Sequence, residues 1–186
     1  MNRFSVTRTP LEGLVAIKRS QAQDARGFFS RLFCADELAS AGFDAPVAQI
    51  NHTLTRRLGA ARGLHFQHSP HAEIKLVSCV RGRVFDVAVD LRRGSPTFLA
   101  WHAEILSAEN ATSLLIPRHF AHGFQTLEQD CELLYLHSTA YTPAAEGALN
   151  LSDPAIGIRW PLPFSDVSDK DRATPHVASD FTGLVP

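Results

Sequence analysis

The chain has few cysteines and almost no net charge, and each of these features excludes a class of protein. Among 186 residues there are three cysteines, and 18 basic residues face 19 acidic ones for a net charge of −1. Cys34, Cys79 and Cys131 are odd in number and widely spaced, which disfavours a disulfide framework or a zinc site. We expect them to be buried free thiols in a reducing compartment. Without a block of like charge, nothing in the sequence predicts a nucleic-acid or membrane surface.

Long apolar runs and helix signals are also missing. No segment is long enough to cross a bilayer, and the N-terminus has no apolar core of signal-peptide length, so we expect a soluble cytoplasmic protein. Residues 35–41 are predicted to form a helix, with acids in the first turn and Gly42 just beyond the end. Residues 168–172 are predicted to form a single helical turn.

The chain instead contains many short alternating segments separated by turn residues. The predicted strands cover residues 4–9, 14–18, 28–33, 47–55, 62–67, 74–80, 83–91, 98–106, 112–116, 120–127 and 132–139, with a turn-rich loop at 21–27. Many strands with scarcely any helix predict an all-β fold, a closed antiparallel sandwich or barrel. We predict one domain over residues 1–186, with N-terminal strands at 4–18, a core from about 26 to 140 and an irregular C-terminal arm over 141–186.

The central stretch, residues 62–90, carries ionisable side chains inside predicted strands. His65, Lys75 and Asp86 interrupt segments that are apolar on both faces. Burying such groups costs several kcal/mol unless they are paired. The stretch therefore predicts a sheet whose concave side holds a polar site.

A metal site is one interpretation of the nine histidines, of which His65, His68 and His71 lie close together. In metal-dependent cupins, a His-x-His pair is followed by an acidic ligand and, later, a further histidine. Here Lys75 takes the place of the acidic ligand, and only His122 falls where a late ligand belongs. An ammonium group does not share a coordination shell with a divalent ion, so we expect no metal, with a metal-dependent cupin enzyme as an alternative.

Proton transfer is a second interpretation. Besides His65, Lys75 and Asp86, the polar residues Asn51 and Tyr135 lie in mid-strand among apolar neighbours. A histidine, a lysine and a tyrosine in one pocket suit proton abstraction beside a carbonyl, since they supply a base, a cation near the enolate and an acid.

Arginines and aromatics offer contacts for an anionic ligand. Arg26 and Arg62 each precede a glycine at a strand entrance, and two arginines at a pocket mouth fit a diphosphate. Phe29 and Tyr141 are either core or rim aromatics or platforms on which a base stacks.

Several ordered motifs resemble those of the dTDP-4-dehydrorhamnose 3,5-epimerase family. They include RGLHFQ at 62–67, PHAEIKLV at 70–77, LLIPRHFAHGF at 114–124, LLYLHSTAYTP at 133–143 and SDKD at 168–171, and the resemblance runs from about Arg26 to Asp171. It implies a cupin-type jelly roll (double-stranded β-helix) with short peripheral helices, a homodimer without cofactor or metal, and a nucleotide-sugar substrate. The activity it implies is epimerisation of a nucleotide-linked 4-keto-6-deoxyhexose at C3 and C5.

The resemblance also implies roles for individual residues. His65 would be the general base, Asp171 its orienting carboxylate, Tyr135 the acid on the opposite ring face and Lys75 the group that stabilises the enolate. The implied substrate-binding residues are Arg26 and Arg62 for phosphate, Gln49, Asn51 and His122 in the pocket, Phe29 and Tyr141 near the base, and the buried acid Asp86.

Two departures from the family pattern bear on specificity. Arg31 stands where many members have a glutamate, and GALNLSDP at 147–154 replaces RGIRWDDP. The resemblance thus leaves open the nucleotide, the sugar and which carbons are inverted. A sugar-nucleotide-binding cupin without catalysis is a further alternative. In the implied homodimer, residues 4–18 are the predicted exchanged or interface strands, because long edge strands need covering.

Overall fold

The computed structural model describes residues 3–185, and antiparallel strands dominate it. The strands are β1 (Phe4–Arg8), β2 (Val15–Arg19), β3 (Gln21–Asp24), β4 (Gly27–Ser30), β5 (Gln49–Thr55), β6 (Ala61–Gln67), β7 (Lys75–Arg81), β8 (Arg83–Asp90), β9 (Trp101–Ser107), β10 (Thr112–Ile116), β11 (Phe120–Thr126), β12 (Cys131–His137) and β13 (Glu146–Ala148). The helices are α1 (Ala35–Ala39), α2 (Asp169–Arg172) and a 3₁₀ turn at Pro143–Ala145.

Two sheets form a jelly roll. The first sheet has the order β1-β2-β10-β7-β12-β5, and the second has the order β13-β6-β11-β8-β9. The hairpin β3-β4 pairs with neither of them. The predicted all-β, cupin-type fold is confirmed.

The alternation predicted for the central stretch explains how the sheets pack. Val77 and Cys79 face the second sheet, where they contact residues such as Val84 and Phe124. Leu76 faces the opposite way and packs against Leu38 of α1. The second sheet is covered on its outer face by apolar residues of the arm: Leu149, Leu151, Ile156, Ile158, Trp160 and Phe164. Because the central strands β7, β8 and β11 are buried on both faces, they carry apolar residues on both sides.

Some predicted boundaries were wrong for local reasons. The predicted loop at 21–27 begins with strand β3, which pairs with β4 through Ala22 and Phe29. The strand predicted to begin at residue 98 begins at Trp101, because the N–H of Ala100 bonds the carbonyl of Thr97 in a turn. The irregular arm contains one short strand, β13, which extends the second sheet beside β6.

Both predicted helical segments are present in the structure. The predicted helix at 35–41 is confirmed as the shorter α1, and the predicted turn at 168–172 is α2. Within residues 3–185, no helix has the length and apolarity needed to cross a membrane. All three cysteines are free, and burial raises the pKa of Cys79 to about 12. Cys34 is only half-buried, so its predicted burial is wrong.

Candidate active site

A cavity of about 480 Å³ opens between the two sheets. Its first wall comes from β5, β7 and β12, its second from β6 and β11, and the segment before and within α2 closes one side. The strands in which the sequence analysis found polar side chains thus meet in one cavity.

His65 and Asp171 form the central pair of the second wall. Nε2 of His65 lies 2.7 Å from Oδ1 of Asp171, although 106 residues separate them in the chain. Since a carboxylate only accepts, Nε2 carries the proton and Nδ1 is left with a lone pair. The side chain of His65 is 35% exposed and that of Asp171 5%, so the imidazole faces the cavity and the carboxylate lies behind it.

Asp171 is held in place from several directions. The N–H of Gly63 donates to Oδ2 at 3.4 Å, and the Ser168 hydroxyl accepts the N–H of Asp171 at the start of α2. Burial acts to raise the pKa of Asp171, but the hydrogen bond with His65, helped by those with Gly63 and Ser168, outweighs burial and lowers that pKa. The carboxylate is therefore ionised beside the imidazole.

Lys75 extends into the cavity from β7 in the opposite wall. Its Nζ lies 2.9 Å from Oε1 of Glu73 and donates to the carbonyl oxygen of His65 at 3.1 Å. Both side chains of the ion pair are almost fully buried. Of the three ammonium protons, two are committed to these acceptors and one remains for a ligand.

Tyr135 lies on β12, across the cavity from β6. Its ring packs edge-on to His122 at 5.9 Å between centroids. Burial, with the nearby charge of Asp86, raises the pKa of Tyr135 well above its usual range, so the phenol is protonated at neutral pH. Nε2 of His122 in turn donates to Oδ1 of the fully buried Asp86 at 2.8 Å.

Two glycines let the second wall approach this closely. A Cβ on Gly63 would lie 2.6 Å from Cα of Gly123, and one on Gly123 would lie 2.6 Å from the carbonyl oxygen of Arg62. The pairing of β6 with β11 changes register at this point, between His122 and Phe124. The tight contact and register change aim both Arg62 and His65 into the cavity.

The cavity mouth is polar. Nε of Arg62 donates to the Thr55 hydroxyl at 3.0 Å, which leaves its terminal nitrogens free for an anion. Gln49 accepts the N–H of Tyr141 at 2.9 Å and donates to Asn51 at 3.0 Å. Tyr141 is 52% exposed.

The cavity contains most of the sequence-predicted site residues. Those lining it are Gln49, Asn51, Arg62, His65, Lys75, His122, Tyr135, Tyr141 and Asp171. Asp86 lies one layer behind, bonded to His122.

Arg26 and Phe29 are not among the lining residues of this chain. Both lie on the β3-β4 hairpin, where Arg26 pairs with Asp24 at 2.6 Å and has a 90% exposed side chain. Phe29 is 69% exposed, and its neighbour Phe28 is 63% exposed.

Sequence reasoning missed other residues that line the cavity. They are chiefly His137, Glu73, Glu146 and Lys170. His137 could have been found, because it lies two positions after Tyr135 and so shares its face of β12. Glu146 and Lys170 belong to the irregular arm, where no periodicity indicates direction, and they bond one another at 2.5 Å.

Within residues 3–185, no three His, Cys, Asp or Glu side chains converge in a way that could hold a metal ion. The position of the acidic ligand in metal cupins is held by the Lys75 ammonium described above.

Comparison of the sequence with known families gives one match across most of the chain. The family model described as dTDP-4-dehydrorhamnose 3,5-epimerase matches residues 8–179. A dTDP-4-dehydrorhamnose 3,5-epimerase of Sinorhizobium fredii is 44% identical over 155 residues, covering 83% of this chain and 80% of the relative.

Solved structures give the same result. A dTDP-4-dehydrorhamnose 3,5-epimerase from Bacillus anthracis, with TDP and PPi bound, superposes with a TM-score of 0.90 at 35% identity, covering 94% of this chain and 99% of the other. A 3′-monoepimerase from Streptomyces bikiniensis, in complex with dTDP-quinovose, gives a TM-score of 0.84 at 36% identity, with 90% and 85% covered.

Proposed function

The chain belongs to the dTDP-4-dehydrorhamnose 3,5-epimerase family, and on that premise we propose how its residues invert C3, C5 or both of a nucleotide-linked 4-keto-6-deoxyhexose. The reaction is an isomerisation in which a proton leaves a carbon beside the C4 carbonyl and another returns on the opposite face. The observation that carries the proposal is the His65–Asp171 pair, which faces Tyr135 and Lys75 across one cavity.

His65 removes the proton. Its Nδ1 is the nitrogen with a free lone pair, since Nε2 donates to Asp171. The ionised carboxylate fixes the tautomer and stabilises the imidazolium that forms.

The electrons of the broken C–H bond move onto the C4 oxygen, and Lys75 stabilises the resulting enolate. Its ammonium lies in the cavity with one proton uncommitted, as the contacts with Glu73 and His65 show. A fixed cation in a site that excludes water stabilises developing negative charge strongly.

Tyr135 returns the proton. It stands on the first sheet and His65 on the second, so the two groups address opposite faces of a sugar held between them. With a raised pKa, the phenol is present as the acid at neutral pH.

A second copy of the chain completes the nucleotide end of the site. Arg62 supplies one guanidinium at the cavity mouth, whereas Arg26 and Phe29 are exposed on a hairpin that pairs with neither sheet of its own chain. In the proposed homodimer, the hairpin of each protomer reaches the partner's cavity, where Arg26 contacts phosphate and Phe29 the base. Three unpaired cysteines favour a cytoplasmic location for the enzyme.

The test follows proton exchange and inversion separately. With dTDP-4-dehydro-6-deoxyglucose in deuterated water, NMR reports deuterium entry and configuration at both carbons. We expect His65→Asn to reduce exchange by about 10²–10⁴-fold, the usual loss when a general base is removed, with nucleotide-sugar affinity largely unchanged.

Tyr135→Phe should behave differently from His65→Asn. The base still removes protons, so exchange should partly survive while inversion falls much further. Equal losses of both in Tyr135→Phe would show that Tyr135 is not the acid. Tight binding without any exchange by the unaltered protein would indicate a sugar-nucleotide-binding protein instead of an enzyme.

A further inference from the structure

His137 lines the cavity, yet the mechanism above gives it no role. It lies on β12 directly opposite Lys75 of β7, and the two residues are Cα partners in the sheet. Its ring is nearly parallel to that of Tyr135, with an interplanar angle of 20° and 6.1 Å between centroids. A third cavity histidine, besides His65 and His122, therefore lies beside both Lys75 and Tyr135.

The hydrogen-bond network fixes the tautomer of this ring. Nε2 of Gln49 donates to Oδ1 of Asn51 at 3.0 Å, which turns the Asn51 amide nitrogen toward Nε2 of His137 at 3.4 Å. Because the amide nitrogen donates, Nε2 of His137 accepts, and the ring proton is on Nδ1. The Nδ1–H group has no acceptor within the described residues and is left for a ligand.

His137 is also kept neutral. Burial, followed by the positive charge of Lys75, lowers its pKa to about 4. At neutral pH the ring is thus a hydrogen-bond donor without a charge of its own, and it does not compete with Lys75 for Glu73.

We propose that His137 is a further catalytic residue, whose Nδ1–H donates to the C4 oxygen of the substrate beside the Lys75 ammonium. This inference rests on the proposed epimerase function. Lys75 has one free proton, whereas an enolate oxygen accepts more than one hydrogen bond. A second fixed donor stabilises the enolate more than the ketone and so lowers the barrier to proton removal at either carbon.

Two substitutions separate this role from packing. In His137→Asn the amide nitrogen takes the place of Nδ1 and keeps the donor, whereas in His137→Gln the amide lies further out, near the position of Nε2. We expect the kcat of His137→Asn to stay within about threefold of that of the unaltered protein. The kcat of His137→Gln should fall on the order of 10²-fold with little change in KM, which is the effect of removing one such donor. Exchange at C3 and C5 should fall in parallel, because both carbons share the enolate oxygen.

The matched control is His52→Gln. His52 lies on β5 outside the cavity and bonds Glu132 at 2.9 Å, so its loss should leave turnover unchanged. A side chain that only fills space gives the reverse order at His137, since Asn leaves the larger void and would do more harm than Gln.

Equal activity of His137→Gln and the unaltered protein, with His65→Asn inactive in the same assay, overturns the inference and leaves the epimerase function intact. A loss in His137→Asn that matches or exceeds that in His137→Gln overturns it as well. Absence of exchange in the unaltered protein instead defeats the epimerase function, and the inference with it.

Discussion

Asp90, at the end of β8, is a fully buried carboxylate whose neighbours keep it ionised. Arg92, Ser95 and Thr97 donate to it from the loop that follows the strand. Burial alone would raise its pKa, but these hydrogen bonds lower it to about 2. Because the folded-state pKa lies below the unfolded value, the carboxylate stabilises the fold above pH 4, and that contribution is lost as the pH falls from about 4 to 2.

We therefore expect Asp90→Asn to lower the free energy of unfolding by about 2–3 kcal/mol at pH 7. The difference from the unaltered protein should shrink when urea unfolding is repeated near pH 2.5. Asp44→Asn is the control, because Asp44 is exposed and lies 3.6 Å from Arg118. A difference that stays constant with pH would show that the charge of Asp90 contributes nothing.

Single residues of the site divide into those that the sequence predicts and those that it does not. His65, Lys75 and Tyr135 were predicted because a polar side chain inside an apolar strand is conspicuous. The burial of Asp86 was predicted too. Its hydrogen bond with His122, however, depends on the pairing of β8 with β11, which no local sequence pattern predicts.

Among the elements, β6 and β11 approach each other too closely to leave room for a side chain at Gly63 or Gly123. Gly123 meets the carbonyl oxygen of Arg62 without any need for an unusual backbone angle, so its constraint is purely steric. We expect Gly123→Ala to destabilise the protein by about 1–3 kcal/mol, the usual effect of overpacking, and to reduce turnover further by displacing Arg62 and His65.

Thermal unfolding and the exchange assay together check this prediction. Gly94→Ala is the control, since a Cβ there meets nothing within 4 Å and tests only the strain of a φ of +75°. If both variants lose equal stability and neither loses activity, the close approach of the strands does not position the site.

The sequence predicted the strands more completely than it predicted which strands pair with each other. Short strand-like segments bounded by turn residues identified β5 to β8 and β10 to β12. The strand β13 was missed, since three residues are too few to show a period. The register change between β6 and β11 comes from a contact between distant segments and leaves no local signal.

The position of the β3-β4 hairpin leads to a prediction about the proposed homodimer. If each protomer lends Arg26 to its partner, a mixture of Arg26→Ala and His65→Asn chains forms one complete site per mixed dimer, because His65 and Arg26 then come from different chains. We expect the mixture, after joint unfolding and refolding, to regain up to about a quarter of the unaltered activity, since half of the dimers are mixed and each has one good site of two.

Each variant alone sets the baseline for this experiment. Mixing Arg26→Ala with Arg62→Ala gives a second, independent pair in which rescue is also expected. Activity that stays at the baseline in both mixtures, with dimers present in light scattering, would mean that the hairpin serves its own chain. Light scattering that detects only monomers at micromolar protein concentration would disprove the proposed homodimer.

At the scale of the molecule, the sequence predicted the fold class and the irregular arm. It did not predict where the arm lies. Trp160 of the arm packs 6.0 Å from Phe85 of β8, and α2 brings Asp171 to His65. Both contacts join segments far apart in the chain, where alternation carries no information on pairing.

The distance in sequence between His65 and Asp171 also sets an order of events during synthesis. A ribosome that adds about 5–20 residues per second reaches Asp171 roughly 5–20 s after His65, since 106 residues separate them. During that interval the nascent chain contains His65 without Asp171, and a chain that stalls or is cut before residue 171 never forms this pair. The proposed proton transfer therefore requires a complete arm, and we expect chains that end before Asp171 to leave a sugar nucleotide unaltered.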